Sequence, residues 1–340
     1  ESSVLGARET LNNNEQDTLL DAATAYMNVL RDTAILDLQR NNVDVLDEQL
    51  RQTRDRFNVG EVTRTDVAQA ESRLAASRSQ VSLAESNLRT SIAQYRQVVG
   101  VEPRSLAPGR PLDRLLPKSV DAALKIALNE HPAIKASQHG VDVAELQVKI
   151  DQGALAPQVG VRGTVAQRYD NQINGDRALS ASVVAQLTVP IYDGGVAYAT
   201  TRQSKETVGQ RRLEADSIRD QVRAAVVSTW GQLEAARAQI VAAQAQIDAS
   251  ETALNGVREE ARVGQRTTLD VLNAQQELLT ARVNLITAQR DRVVASYAVA
   301  QAMGRLTSRS LGLAVNHYSP KIHYDQVKDL WGGLTTPDGR

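Results

Sequence analysis

Two short stretches 204 residues apart constrain this chain more than anything else in it. Residues 56–67 read RFNVGEVTRTDV, and residues 260–271 read EARVGQRTTLDV. Each holds a Val-Gly, then a Thr, then Asp-Val. Gly60 and Gly264 supply the backbone freedom that ends a helix. The Thr/Asp group that follows supplies side-chain oxygens that start the next one, and Asp66 and Asp270 read as its caps. Long heptad-patterned runs flank both stretches. Each is therefore the tip of a long helical hairpin, and the chain makes that hairpin twice.

The same shift carries Leu50 onto Leu254, Ala70 onto Ala274, Leu74 onto Leu278, Arg78 onto Arg282 and Gly100 onto Gly304. Self-similarity at this distance argues for duplication of a whole structural unit, since the period is too long for a solenoid. One unit covers residues 1–100, and its counterpart covers 205–304. After the first tip, core-type positions recur at Val67, Ala70, Leu74, Ser77, Val81, Ala84, Leu88, Ser91, Tyr95 and Val98. The spacing alternates three and four, a coiled-coil rhythm. Shifted by 204, the series stays apolar or small except at Arg292. The seam is rich in Ala and Ser, so helices can approach closely. Each Ala buries little apolar area, so many such helices must lie side by side.

Composition agrees. The 340 residues include no Cys and one Phe, with a net charge of −1. A thick aromatic core is excluded, and an Ala/Val/Leu interior suits helical rods. The absence of Cys excludes disulfides and thiolate metal sites. Mixed, balanced charge excludes a basic stripe, so no nucleic-acid partner is expected. No run reaches the ~18 apolar residues of a membrane helix. Glu1 does not open a signal peptide.

In chain order, residues 1–56 read as one long helix, with Asn12–Asn14 as a weak point. A return helix runs over 65–99. Residues 100–118 hold Pro103, Pro108, Gly109, Pro111 and Pro117 and break it. Ser119 with Asp121 caps a short helix to Glu130, and Pro132 permits another, to residue 152. From Pro157 the period changes to two. Val159, Val161, Gly163 and Val165 alternate with polar or small residues. So do Leu179, Ala181, Val183, Ala185, Leu187 and Val189. A polar turn over 170–177, with Asn174-Gly175, joins the two strands. About ten residues per strand fits a transmembrane β-barrel, and a soluble half-buried hairpin reads the same way. Residues 190–195, PIYDGG, end the second strand; Tyr192–Gly195 is a strand-to-helix turn, without the Lys-Ser/Thr of a phosphate loop. Helix then runs over 196–262 and again from the second tip to Gly304. Residues 305–340 read as an irregular tail.

A strand hairpin set between very long helices, in a duplicated unit, resembles the TolC family of outer-membrane channel proteins. The residues carrying the resemblance are TAYMNVL (24–30), RFNVGEVTRTDV (56–67), LTVPIYDGG (187–195) and VGQRTTLDVLNA (263–274). The chain is most similar to TolC-like type I secretion and multidrug-efflux proteins of alphaproteobacterial kind. The resemblance implies a mainly α fold with a β-hairpin: a long antiparallel α-helical coiled-coil barrel plus transmembrane β-barrel strands, internally duplicated and trimeric. It implies a homotrimer in the Gram-negative outer membrane, extending into the periplasm. Its partners would be outer-membrane lipid, a periplasmic adaptor (membrane fusion) protein and an inner-membrane RND or ABC pump. Cargo would be drugs, a secreted protein or both, and no cofactor is implied. The expected divisions are 1–100, first-repeat helical hairpin; 101–156, connector and short helices; 157–190, outer-membrane hairpin; 191–304, second-repeat helical hairpin; and 305–340, C-terminal equatorial tail. The shift would put a counterpart of residues 157–195 before residue 1. Relative to the family pattern the chain therefore reads as N-terminally truncated, with one strand hairpin of two.

The resemblance also implies roles at the tips. Arg266 would be the latch cation, with Thr65 and Asp66 as acceptors. Asp270 would form an acidic constriction, with Asn273 where the family's namesake has a second ring aspartate. Ala261 stands where that relative has a latch tyrosine, so the gate would be looser and less cation-selective. Capping alone also accounts for Asp66 and Asp270, and Arg266 reads equally as a solvated charge. Tyr26 and Trp230, related by the same shift, read as packing between helices. Arg162 and Arg168 would line the lumen if the strand faces are right, and Arg168 also fits a membrane rim. His131, His139, His317 and His323 form no metal or catalytic motif, so no enzyme is expected. The competing function is a periplasmic coiled-coil adaptor or structural scaffold.

Overall fold

The computed structural model describes residues 1–169, 177–316 and 319–332. Residues 170–176 of the expected turn, His317 and Pro337 lie outside the described residues, and the turn's last residue, Arg177, belongs to the second strand. In chain order the elements are α1 (Ser2–Asn58), α2 (Arg64–Val99), α3 (Val120–Glu130) and α4 (Pro132–Gly153). There follow β1 (Gln158–Tyr169), β2 (Arg177–Thr188), α5 (Val196–Arg262), α6 (Thr268–Ala302) and α7 (Pro320–Val327). Helix α1 runs unbroken through Asn12–Asn14. The expected irregular tail needs correction, because it contains α7. Pro320 sits in the first turn of that helix, where its missing N–H costs nothing.

The chain divides into two compact units: Glu1–Leu11 with Pro132–Val222, and Asn12–His131 with Arg223–Arg340. In the first, β1 and β2 pair antiparallel from Gln158↔Thr188 to Tyr169↔Arg177. This register puts Val159 opposite Leu187, Val161 opposite Ala185 and Val165 opposite Ala181, so the apolar sets share one face. That face is uncovered; Val183 is 80% exposed. Among the described residues the sheet has two strands, leaving both outer edges unpaired. At the far end the Arg177 guanidinium stands 5.7 Å from the Tyr169 ring centroid. Below the sheet, the Asp193 carboxylate accepts from the N–H groups of Gly195 (2.9 Å) and Ala197 (2.7 Å) and starts α5. Gly194 and Gly195 take φ of +69° and +86°, which L side chains resist. The bond to the Ala197 amide, first among several, holds the Asp193 carboxyl below the usual range. α4 meets α5 through Arg212–Glu145 at 2.7 Å and a Ser204–Asp151 hydrogen bond.

In the second unit the seams predicted from the heptads are the buried surfaces. Leu46, Leu50, Ala70, Leu74 and Leu272 form one cluster, and Ile247, Leu254, Val271, Leu278 and Ala281 form another. A third joins Ala25, Val29 and Tyr95, with Tyr26 packed against it. Polar pairs interrupt the seams: Asn42 donates to Ser77 at 3.0 Å, and Ser91 hydrogen-bonds the buried carboxylate of Asp32. The proline-rich connector docks on these helices. Tyr26 donates to the Ala107 carbonyl at 2.6 Å, and the Leu112 N–H donates to Ser296 Oγ at 2.9 Å. Asp113 bridges Arg237 (2.9 Å) and Arg292 (2.8 Å). Arg292 breaks the heptad rhythm because it reaches this connector carboxylate. Burial pushes the Asp113 carboxyl up, but the hydrogen bonds from both arginines outweigh it and leave it below the usual range.

His131, at the C-terminal end of α3, is pushed down by burial, against the opposing pull of Asp17. Its folded value lies below the ordinary imidazole value of ~6.5. The native state therefore keeps it neutral, and that contribution is intact above the ordinary value. It is lost as pH falls from there toward the folded value. The urea midpoint should decline over that range in the wild-type chain, and His131→Gln should remove this part of the slope. An unchanged pH profile in the variant refutes the assignment.

Candidate functional site

The two tips are built alike. At the first, the Gly60 N–H donates to the Phe57 carbonyl (3.0 Å) and the Glu61 N–H to the Arg56 carbonyl (2.9 Å). At the second, Gly264 donates to Ala261 (3.2 Å) and Gln265 to Glu260 (2.9 Å). Gly60 and Gly264 have φ of +82° and +78°, with open space where a Cβ would be, so backbone conformation alone calls for glycine.

Both return helices then start on a threonine. Thr63 and Thr267 are the N-caps, with nearly equal dihedrals. Asp66 and Asp270 are therefore not the caps themselves. They stand at the third helical position and close the box from inside. The Asp66 carboxylate accepts from the Thr63 N–H (2.9 Å) and hydroxyl (2.7 Å). The Asp270 carboxylate accepts from the Thr267 N–H (3.0 Å) and hydroxyl (2.8 Å). Each threonine oxygen in return accepts from its aspartate's N–H. This is a capping box with Asp in place of Glu, and the Thr-x-x-Asp spacing of both tips signals it in the sequence. The Thr267 backbone N–H, then the Thr267 hydroxyl, hold the Asp270 carboxyl below the usual range, with Arg266 adding attraction. Asp270 thus stays ionised through neutral and mildly acidic pH.

A charge pair closes each turn, in opposite senses. In the first, Arg56 on the outgoing helix meets Glu61 in the turn at 3.0 Å. In the second, Glu260 on the outgoing helix meets Arg266 in the turn at 2.9 Å. The hydrogen bond to Glu260 raises the Arg266 guanidinium above its ordinary value. Within one chain, Arg266 thus lies with Glu260 rather than with Thr65 or Asp66. Thr65 is exposed beside its cap. Asn273 accepts from Arg73 of α2 at 2.8 Å and so ties the two hairpins together near their tips. Glu61, Arg73 and Glu260 are members of this site that the sequence did not single out, and Thr63 and Thr267 are the threonines of its Thr/Asp groups that act as the caps.

Paired tips, long seamed helices and an uncovered strand pair are together the build of an outer-membrane efflux protein. The family model described as "Outer membrane efflux protein" matches residues 1–101 and 123–305, and the chain belongs to that family. It is 45% identical to outer membrane efflux protein BepC of Brucella suis biovar 1 (strain 1330), over 100% of this chain and 75% of the relative. It is 26% identical to outer membrane protein TolC of Escherichia coli (strain K12), over 91% of this chain and 65% of that protein. The chain thus spans about two thirds to three quarters of these relatives. The crystal structure of the Campylobacter jejuni CmeC outer membrane channel shares the fold, with a TM-score of 0.76 at 16% identity, over 90% of this chain and 68% of that one.

Thr267→Ala should cost about 1 kcal/mol locally, the typical worth of an N-cap. Amide exchange over residues 264–272 should rise roughly fivefold, with the seams unaffected. The Asp270 carboxyl should also move back toward its ordinary value. Exchange unchanged at the tip would exclude the box as its closure.

Proposed function

We propose that this chain supplies the wall and the gate of a trimeric exit duct for efflux, type I secretion or both. The observation that carries this reading is the strand pair. Each strand has 12 residues, and eleven steps of ~3.3 Å between the first and the last span about 36 Å. Tilted by ~40°, that gives a height of about 28 Å, close to the apolar band of an outer-membrane barrel. Its apolar face is exposed and its edges are open. A two-stranded sheet is marginal in water, and open edges are not tolerated in lipid. Closure with further strands satisfies both. β1 and β2 supply two strands per subunit; with the second hairpin of the family pattern, four strands from each of three subunits would make a twelve-stranded barrel, above helices that form the periplasmic tunnel. The divisions at 1–100, 101–156, 157–190, 191–304 and 305–340 follow as its parts.

The tips are the gate in this reading. Arg266 of one subunit is the latch toward Thr65 and Asp66 of its neighbour, in exchange with its own Glu260. Three Asp270 carboxylates form an acidic constriction near Asn273, which concentrates cations and repels anions. A periplasmic adaptor and an inner-membrane RND or ABC pump would supply the opening and the energy. Support comes from the family, from Asp270 kept ionised by its box, and from the exposure of Thr65 and Arg266.

A duct extracts from outer membranes only with detergent and cross-links as a trimer; recovery as a soluble monomer refutes the reading. In planar bilayers Arg266→Ser should raise leak conductance severalfold, and conductance held at the closed level removes Arg266 from the latch. Asp270→Asn should abolish cation preference, and unchanged selectivity removes Asp270 from the constriction.

A further inference from the structure

We infer that the polar face of the β1/β2 sheet forms an anion-selective stretch of the duct, with Arg162 its principal residue and Arg168 its second. The inference rests on the duct reading above and concerns a part of the wall remote in sequence from the tips. Register fixes the face: Arg162 lies opposite Val184 and Arg168 opposite Ala178. Both therefore belong to the side that carries Gln158, Thr164, Ser182 and Gln186, opposite the apolar set of Val159, Val161 and Val165. If the apolar side meets lipid, this side meets the lumen.

The charge inventory of the sheet is one-sided. Its two strands hold Arg162, Arg168 and Arg177 and no Asp, Glu or Lys. Arg177 lies on the apolar side over Tyr169, which leaves the other two for the lumen. Around Arg162 on its face stand Gly160 and Thr164 along the strand, Val184 opposite, and Ser182 and Gln186 on the diagonals, none of them charged. In sequence, Asp151 and Asp170 stand eleven and eight residues from Arg162, and Asp170 stands two from Arg168; Asp151 is engaged by Ser204. Three copies of Arg162 would thus form a ring of positive charge that no carboxylate of β1 or β2 offsets, inside a low-dielectric wall that focuses its potential. Rings of Arg or Lys favour anions and phosphates. The ligand class is solutes bearing carboxylate or phosphate groups. They would meet attraction here and repulsion at Asp270.

The test uses trimers isolated from outer membranes, in planar bilayers under a KCl gradient. Asp270→Asn serves as the background, so that the tip does not mask the barrel. That variant should prefer chloride. Adding Arg162→Gln should lower its anion-to-cation permeability ratio by about threefold or more, and Arg168→Gln should lower it further. Arg162→Lys should preserve the ratio. Tripolyphosphate added from the hairpin side should block wild-type current and lose potency in Arg162→Gln. An equal ratio with and without Arg162, a lysine variant that behaves as glutamine, or no block by tripolyphosphate overturns the inference and leaves the duct intact. Wild-type trimers without any conductance would instead refute the duct reading, and this one with it.

Discussion

The seam between these helices is made largely of small side chains, and the rest of the structure answers to how little each contributes. Ala70, Ala84, Ala236, Ala243, Ala281 and Ala288 are all buried. An alanine removes only a small apolar area from water. The packing energy must therefore accumulate over length, which is why α1 runs for 57 residues and α5 for 67. Small seams also discriminate poorly between registers. Polar pairs at single positions do that, because a slip leaves a buried donor or acceptor unmatched. Asn42 with Ser77, and Asp32 with Ser91, are placed to do so between α1 and α2.

Long helices with thin seams need firm ends. The tips provide them through local chemistry alone: a left-handed glycine, a threonine cap and an aspartate closing the box. At the connector the solution is tertiary. A chain rich in proline cannot form its own ladder, so its polar groups turn to the helices. Leu112 donates to Ser296, and Asp113 meets two arginines from different helices. These ion pairs are partly exposed, and each is worth little by itself. Together with the Tyr26 hydroxyl on Ala107, they hold one segment against three helices.

The two hairpins share their supports and differ where function would separate them. Asp47–Arg78 in the first and Glu251–Arg282 in the second are the same interhelical pair, 204 residues apart. Asp32 and Ser91 correspond to Ala236 and Ala295, so the first seam carries a buried charge where the second is apolar. At the turns the cross-pair is inverted: Arg56 stands where Glu260 does. Two tips of one backbone design thus present opposite charge at one equivalent place, Arg56 and Glu260, which gives neighbouring hairpins something to distinguish.

The helices and strands to within a few residues, the two tips, the strand faces and the seam positions are written in local pattern. Each depends on residues within a few places of one another: a 3.6- or 2-residue period, a Val-Gly, a Thr-x-x-Asp. The family was legible for the same reason, since its motifs are these local signals in a fixed order. α7 escaped because eight residues are too few for a period to declare itself. Helix packing is what takes Arg292 out of its seam to Asp113, brings Arg73 to Asn273 and sets Ser296 under the Leu112 N–H. Those partners lie 179 to 200 residues apart. No local pattern encodes such pairs, because they exist only once separate helices have packed in register.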